Sequence, residues 1–361
     1  MLPSGASSER PSATAGTAVK PTISDMRAAT AAEWDAAYES CPYATYSQSR
    51  AWSEDWATYT HGSMKPGPLL ARFDDGHRAL LPLTRQRRRS RLTMRHLMSP
   101  AGTYGGWLTD EPLTPLHAEV LTDWLLTERV PLWWRVNPFD PLAAVPMTRA
   151  TEPDETHIVR LERGLEAQMS HHGHREAVSK ARRAGLTVRR AAGADDWQTY
   201  YSIYLSNLER WGADASSNYG AALFDLLRLR GAPGIDLWLV ELEDGTIVSG
   251  SINLCGPHHV AGWHMASLSD YFRLKPTNLL VNEMIKDAIE RSFTWFDMHP
   301  SGGHEGATRF KENCGGERLE CPVIIAGEPA GAGRGLVADA MRRLRGTADK
   351  GGSAADEKPA G

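Results

Sequence analysis

The sequence predicts an α/β protein in which one unit, a mixed twisted sheet flanked by helices, occurs twice in tandem. Two observations support this prediction. Each half holds an apolar stretch interrupted by Asp-Gly, over 69–83 and 237–252, which is typical of a β-hairpin. Each half also holds a buried-strand pattern that stops at a proline, over 132–138 and 293–300. The second parallel is the stronger evidence, because Asp-Gly hairpins recur by chance.

The elements of the second half follow in order. An amphipathic helix is predicted from about Leu165 to Ala184, with Gly185 as its C-terminal cap. Further helices are predicted from Asp195 to near Gly212 and over 221–229, and a strand over 260–266. The next helix opens at Pro276, since proline is favoured in a first turn. We therefore expect units at 23–155 and 156–328, a disordered leader over 1–22, a C-terminal helix over 329–345 and a disordered tail over 346–361.

Composition excludes several classes of protein. The 361 residues are 41% hydrophobic and 23% charged, with a formal net charge of −4, so nucleic-acid binding requires a local basic patch. The four cysteines form no C-x-x-C pair, which favours a reducing cytoplasm over a zinc or disulfide framework. No apolar run approaches the ~20 residues of a membrane span. We expect a cytoplasmic monomer without a metal, because His171, His172 and His174 lack ligand spacing and carboxylate company.

The stretch 301–316 holds five glycines in sixteen residues and follows a predicted buried strand. We interpret it as a loop that lets the backbone approach a ligand closely. Arg309 and Lys311 flank an aromatic anchor, Phe310. Fixed cations at a close-approaching backbone suit an anionic or polarised acyl substrate, so the pattern indicates acyl transfer.

Three segments, 174–185, 275–280 and 305–311, together with Tyr104-Gly105-Gly106 and 134–138, carry a resemblance to a known family. From about residue 25 to 327 the chain resembles the Fem family of aminoacyl-tRNA-dependent peptidyltransferases within the GNAT acyltransferase superfamily. The resemblance implies two tandem GNAT-like domains, with the active site in the second. It also implies that Phe310 and Lys311 line that site and that aminoacyl-tRNA is the donor. The acceptor would be an amine of a small metabolite or a cell-wall (peptidyl) precursor, and no tightly bound cofactor is expected.

The chemistry suggests a role for each candidate. Attack of an amine on an ester builds negative charge on oxygen, which a fixed cation such as Lys311 stabilises. A proton acceptor is sought among Asp297, His299, His304, Glu305 and His264. Asp297 and His299 are taken as catalytic with Lys311 and Phe310. The remaining substrate-binding candidates are residues near the predicted cleft: Arg309, His304, Glu305, His264, Trp263, Trp211, Asn278 and Tyr104.

Basic residues supply candidates for binding phosphates or tRNA. They lie before the Pro276 helix, on the 165–184 helix and after the first hairpin: Arg273, Lys275, Arg175, Lys180, Arg182, Arg183, Arg87, Arg88 and Arg89. The turn over 272–279 contains no glycine, and Pro276 removes an amide donor, which argues against a standard coenzyme A clamp. Two alternatives stay open. One is an acyl-coenzyme A-dependent N-acyltransferase acting on a polysaccharide or lipid precursor, and the other is a non-catalytic module that binds RNA or a nucleotide.

Overall fold

The computed structural model describes residues 19–87, 94–128, 130–169, 171–212 and 218–327. The predicted leader up to residue 18, Arg88, Arg89, the predicted helix over 329–345 and the tail over 346–361 lie outside these ranges. Within them the chain forms three sheets flanked by helices, which confirms the predicted α/β class. None of the described helices is both long and apolar enough to cross a bilayer.

Two sheets are built mainly by the first half. A three-stranded antiparallel sheet has the order β1-β3-β4 and consists of β1 (Ile23–Ala28), β3 (Leu69–Phe73) and β4 (Arg78–Leu81). A mixed sheet has the order β16-β8-β6-β5-β2, with β7 beside β8. Its strands are β2 (Met64–Pro66), β5 (Thr84–Arg87), β6 (Met94–Leu97), β7 (Tyr104–Gly105), β8 (Leu132–Val136) and β16 (Val323–Ala326). The helices of this half are α1 (Ala31–Ser40), α2 (Arg50–Tyr59), α3 (Pro115–Thr127) and α4 (Ala144–Met147).

The last strand crosses between the halves. β16 falls in the range predicted for the second unit, but it pairs antiparallel with β8, from Val323 opposite Arg135 to Ala326 opposite Leu132. All five residues of β8 are buried, and its one charged residue, Arg135, is paired with Asp154 at 2.6 Å. The first-half sheet is therefore completed by residues from the end of the described chain.

The second half forms a seven-stranded sheet in the order β10-β11-β12-β13-β14-β9-β15. Its strands are β9 (Glu155–Arg160), β10 (Thr187–Arg190), β11 (Ile235–Glu241), β12 (Ile247–Cys255), β13 (His259–Ser267), β14 (Trp295–Asp297) and β15 (Glu317–Glu320). Its helices are α5 (Gly164–Met169), α6 (His172–Arg183), α7 (Ala194–Trp211), α8 (Ala221–Arg230), α9 (Pro276–Glu290) and α10 (Glu305–Asn313). Both predicted hairpins, β3–β4 and β11–β12, are present.

Two sequence predictions need correction. The helix predicted over 165–184 is two helices, because His171 adopts an extended backbone (φ −69°, ψ 103°) that ends continuous helical hydrogen bonding. Gly185 does terminate α6, with φ 76°. Arg309, Phe310 and Lys311, predicted in a loop, lie on α10.

The two halves share part of their core. Trp52 and Trp56 of α2 are fully buried in a cluster that also contains Tyr200 of α7 and Ile252 of β12. Trp56 meets the ring of Tyr219 edge-on, with 5.7 Å between ring centroids. The apolar interface therefore holds the second half against the first.

Candidate active site

A cleft opens where two parallel strands separate. β13 and β14 pair only from His259 opposite Trp295 to Ala261 opposite Asp297. Beyond that point β13 continues beside β12 to Ser267. The segment that follows β14 instead turns away at His299, whose φ is 57°. A register shift against β12 leaves one extra residue in β13 at Trp263. The separation of the strands leaves backbone and side chains of both exposed to a ligand.

The cleft is a cavity of about 850 Å³. Its walls come from the end of α7, from β13, from the segment leading into α9, from the turn after β14 and from α10. The lining residues are Tyr204, Asn207, Leu208, Arg210, Gly262–Met265, Ser267, Phe272, Lys275–Asn278, Met298–Pro300, His304–Ala307, Phe310 and Lys311. At the end of α7 the sequence predicted Trp211 as a substrate-binding residue but missed Arg210, because only the packing of α7 across β13 brings Arg210 to the site.

Helix α10 sorts the predicted residues into two faces. Ala307, Phe310 and Lys311 line the cavity. Arg309 points outward, with a side chain 77% exposed and 3.4 Å from Glu305 in an ion pair. The interpretation of Arg309 as a cation facing the substrate is therefore corrected, since helical geometry separates it from its neighbours. Glu305 and His304 lie at the start of the helix, at the rim of the cavity.

Lys311 is held by the turn after β14. Its ammonium Nζ donates a hydrogen bond to the main-chain carbonyl of His299, at 2.5 Å. Burial lowers the pKa of Lys311 to about 8, even though the nearby carboxylates of Asp297 and Asp154 act in the opposite direction. At neutral pH the side chain is mainly an ammonium, positioned as a donor beside the cavity.

Asp297 lies beneath this turn and outside the cavity wall. One carboxylate oxygen accepts hydrogen bonds from the Thr156 hydroxyl (2.6 Å) and the His299 main-chain N–H (2.8 Å). The other is 3.4 Å from Nε2 of His259. Burial would raise the pKa of Asp297, but its contact with His259 and its hydrogen bond with Thr156 outweigh burial and hold the pKa below the usual range. Asp297 is therefore an ionised anchor for the turn, with no direct access to a substrate.

His299 lines the cavity from the same turn. Its ring stacks on Tyr104 at 5.4 Å and 21°. Burial lowers the pKa of His299 to about 4, so its imidazole is neutral at physiological pH and a weak base. Tyr104, predicted to bind substrate, is fully buried behind His299 and supports that ring.

His264 and Trp263 form the β13 wall. The Tyr200 hydroxyl donates to the His264 carbonyl (2.8 Å) and lies 2.7 Å from His264 Nδ1. Both contacts are satisfied together when Nδ1 carries the proton, which leaves Nε2 as an acceptor. Burial lowers the pKa of His264 to about 4. Trp263 stacks on Tyr219, with 5.5 Å between ring centroids.

The start of α9 forms the opposite wall. Lys275 takes a left-handed backbone (φ 64°) and Pro276 occupies the first turn, as predicted. Thr277 shares a hydroxyl contact of 3.0 Å with Ser267. Asn278 lines the cavity, with its amide nitrogen 3.5 Å from Nδ1 of His174. His174 is buried, because that position of α6 faces α9.

The remaining basic candidates lie away from the cavity wall. Arg273 is exposed and does not line the cavity. Its neighbour Phe272 does line it, and the guanidinium of Arg210 lies over the Phe272 ring, 4.9 Å from the ring centroid. The α6 candidates share one exposed face, which carries Arg175, Lys180, Arg182 and Arg183. Arg182 pairs with Glu283 at 2.7 Å. Arg87 is exposed at the end of β5, and the Trp211 side chain lies outside the described part of the structure.

Comparison with known proteins bears on the domain and on the fold. Residues 171–312 match the family model described as an acetyltransferase (GNAT) domain. The crystal structure of FemX is similar over 83% of this chain and 96% of its own, with a TM-score of 0.63 and 15% identity. A Bacteroides thetaiotaomicron protein of unknown function covers 84% of this chain and 100% of its own (TM-score 0.52, 12% identity). Among curated proteins, none matches the sequence.

A third structure is the C-terminal domain of a putative lysylphosphatidylglycerol synthetase from Agrobacterium fabrum. It covers 86% of this chain and 96% of its own, with a TM-score of 0.50 and 13% identity. At such identities the structural neighbours establish the fold alone. Together with the family match, they show a GNAT-like fold whose second half carries the acetyltransferase (GNAT) domain over residues 171–312. The similarity to FemX is a similarity of fold, and that fold is the one that the sequence resemblance to the Fem family implies.

Proposed function

We propose that this enzyme forms an amide bond by transferring an aminoacyl group from aminoacyl-tRNA to an amine. The observation that carries the proposal is Lys311, a partly buried cation held at the point where β13 and β14 separate. The acceptor is an amine of a small metabolite or of a cell-wall precursor. The reaction takes place in the cytoplasm, where charged tRNA is found.

The chemistry needs few protein groups. The neutral amine attacks the ester carbonyl carbon, and the tetrahedral intermediate places negative charge on the former carbonyl oxygen. The Lys311 ammonium stabilises that charge from the cavity wall. The C–N bond then forms the amide, the ester C–O bond breaks, and the ribose oxygen of the tRNA leaves with the proton released by the amine. His264 and His299 are weak bases, so we assign this proton transfer to the substrates themselves.

Charge supports an anionic donor. Among the described residues, Lys311, Lys275 and Arg210 line the cavity against one carboxylate, Glu305, whose side chain is 86% exposed at the rim. The exposed basic face of α6 adds a surface on which a polynucleotide backbone could lie. These features favour a donor whose negative charge extends beyond the cavity itself.

The start of α9 favours tRNA over coenzyme A. A pyrophosphate is commonly held by free amides at a glycine-containing helix start. Here Pro276 has no N–H, and the Thr277 hydroxyl is engaged by Ser267. Aminoacyl-tRNA presents no pyrophosphate at its reacting end, so it does not require main-chain amides arranged to bind one.

One observation favours a second candidate, an acyl-coenzyme A-dependent N-acyltransferase. The matched family is described as an acetyltransferase domain, and the α9 start still borders the cavity with Lys275 beside it. In that case Lys275 and Arg210 would meet phosphates directly.

A donor competition experiment separates the two functions. The purified protein is incubated with a set of amine acceptors and either radiolabelled aminoacyl-tRNAs or acyl-coenzyme A thioesters, with and without ribonuclease. We expect amide product from charged tRNA that disappears after ribonuclease treatment. Product that resists ribonuclease and requires coenzyme A thioester would replace the first proposal with the second.

A further inference from the structure

One turn on the cavity wall carries an exposed aromatic ring that the proposed chemistry does not use. The 3-10 helix Ser269–Leu274 lies between β13 and α9. Tyr271 and Leu274 pack against the apolar core of the second half and hold this turn in place. Phe272 instead lines the cavity and is 45% exposed. The turn is therefore anchored by its other apolar residues, and the position of Phe272 is not explained by packing in the core.

The same turn places a cation close to that ring. Lys275 closes the turn, because its main-chain N–H donates to the Phe272 carbonyl at 3.1 Å. The side chains of Phe272 and Lys275 both line the cavity, whereas Arg273 between them does not. An apolar ring and an exposed ammonium therefore meet the cavity from one turn of the chain.

A second cation reaches the ring from α7. The guanidinium carbon of Arg210 lies 4.9 Å from the centroid of the Phe272 ring, and Arg210 also lines the cavity. A guanidinium over an aromatic ring is held in place by the ring while its N–H groups stay available to a phosphate. This contact leaves Phe272 nearly half exposed, so part of the ring is available to a ligand in the cavity.

We propose that Phe272 stacks against the adenine of the acyl donor, with Arg210 and Lys275 beside it to pair with the phosphate of the same nucleotide. Every base has a flat face that stacks on an aromatic side chain, and the backbone phosphate of a nucleic acid pairs with lysine and arginine. The inference rests on the proposed function and deepens it, because the ester of aminoacyl-tRNA is carried by the ribose of a terminal adenosine.

The dimensions of the site favour the tRNA end as the source of this adenine. In aminoacyl-tRNA one ribose separates the base from the reacting ester. In acyl-coenzyme A the long pantetheine arm separates the adenine from the thioester. Phe272 and Lys311 line the same cavity of about 850 Å³, so the base and the acyl group are expected close together. The short separation in aminoacyl-adenosine meets this requirement directly.

The experiment uses the full chain and a short RNA that reproduces the acceptor end of tRNA, with 2-aminopurine in place of the terminal adenine. Stacking quenches the fluorescence of this base. We expect quenching by the native protein, and binding weakened roughly 5- to 100-fold without quenching in Phe272→Leu, as loss of one stacked base typically gives. Phe272→Tyr keeps the ring and should retain both. Leu229→Ala, at an exposed side chain of α8, should change neither.

Kinetics give a second readout. Phe272→Leu should raise the KM for the donor by a similar factor and leave the KM for the amine acceptor unchanged. If acyl-coenzyme A proves to be the donor, the comparison is with S-acylpantetheine, which lacks adenine. An effect of Phe272→Leu on acyl-coenzyme A but not on S-acylpantetheine would keep the stacking role and identify coenzyme A as the source of the base.

Two results would overturn the inference. One is a Phe272→Leu protein with native quenching and a native donor KM, which would leave the proposed function intact. The other is quenching no stronger for a terminal 2-aminopurine than for one placed inside the RNA. Conversely, quenching that depends on Phe272 in a protein that makes no amide from charged tRNA would remove the proposed function and keep the nucleobase site. Circular dichroism of Phe272→Leu is expected to show an intact fold, because the ring is exposed.

Discussion

Lys311 shows how the surroundings of a single side chain suit it to the oxyanion role that we propose for it. An exposed lysine remains fully hydrated, and its charge contributes little to a reaction. Lys311 lies on α10, where burial lowers its pKa to about 8, and the His299 carbonyl fixes the ammonium in place. The donor is therefore oriented before substrate arrives, so little reorganisation is needed during the reaction.

The first prediction concerns removal of this cation. Lys311→Ala should lower kcat roughly 100- to 1000-fold, as removal of one oxyanion donor typically does, with a smaller change in KM. Lys286→Ala, at an exposed lysine of α9, is the matched control and should leave kcat unchanged. Steady-state kinetics, with whichever donor the competition experiment identifies, measure both variants. A near-native kcat in Lys311→Ala would remove the oxyanion role.

The second prediction concerns pH. Only the protonated Lys311 stabilises an oxyanion, so kcat should fall as pH rises through about 8. Lys311→Arg keeps the charge at every pH tested and should move this falling limb beyond the measured range. A pH–rate profile from 6 to 9.5 tests the assignment, which a limb unchanged in Lys311→Arg would contradict.

The third prediction tests Asp297 as a positioning residue. Its negative charge raises the pKa of Lys311 against the larger effect of burial, so Asp297→Asn should shift the falling limb to lower pH. Asp270→Asn, at an exposed carboxylate near the cavity, should not. A purely structural role would lower the rate at all pH values and leave the limb where it is.

At the scale of elements, the sequence predicted which helices and strands exist, and their order, better than it predicted where each one begins and ends. Both hairpins, β8 and the α9 start at Pro276 were predicted because each has a local signal, a turn dipeptide or a helix-initiating proline. The stretch 301–316 after β14 was interpreted as one loop because all five of its glycines were taken as evidence for a loop. Gly302 and Gly303 do occupy the turn, with φ of 59° and 83°. The helical signals beyond them, an acidic first turn and apolar residues three and seven apart, were overlooked.

The candidate site was predicted only in part, for a reason of geometry. Lys311, Phe310, His264 and Asn278 were found because they belong to contiguous motifs. Arg210 reaches the cavity only because α7 packs across β13, and no local pattern reports such a crossing. The sequence also does not show which side chains are buried. Asp297 and Tyr104 were therefore predicted to contact substrate, although both are buried and support the turn after β14.

The fourth prediction concerns the exposed face of α6. If tRNA lies on this face, Arg175→Gln with Arg183→Gln should weaken binding and reduce the slope of log affinity against log salt by about 2. Arg182 is omitted because it is paired with Glu283. The control is Arg72→Gln with Arg149→Gln, two exposed arginines of the first half. Equal slopes for the two double variants in a filter-binding titration would exclude this face as an RNA surface.

At the scale of the molecule, the shared aromatic core links the stability of the halves to the site. Trp52 of the first half meets the cavity residue Trp263 edge-on, with 5.3 Å between ring centroids. The first half therefore contributes to the packing behind the cavity wall, although none of its described residues lines the wall itself.

The fifth prediction follows from this packing. Trp52→Ala should lower the free energy of unfolding by about 3–5 kcal/mol, because the residue is fully buried and the space left cannot be refilled. Leu229→Ala, at a side chain 71% exposed, should change it by less than about 0.5 kcal/mol. Urea denaturation followed by fluorescence and circular dichroism measures both, and a Trp52→Ala effect under 1 kcal/mol would contradict a shared core.

The pairing of β16 with β8 sets an order of events during synthesis. Residues 132–136 leave the ribosome long before 323–326, so β8 emerges with one edge unpaired. That edge can be covered only after the second half has been translated. A nascent chain stalled before residue 323 therefore presents an open strand to chaperones and to other chains. Of the described strands, the last to emerge completes the sheet of the first half, so that sheet reaches its finished form only after the second half has been made.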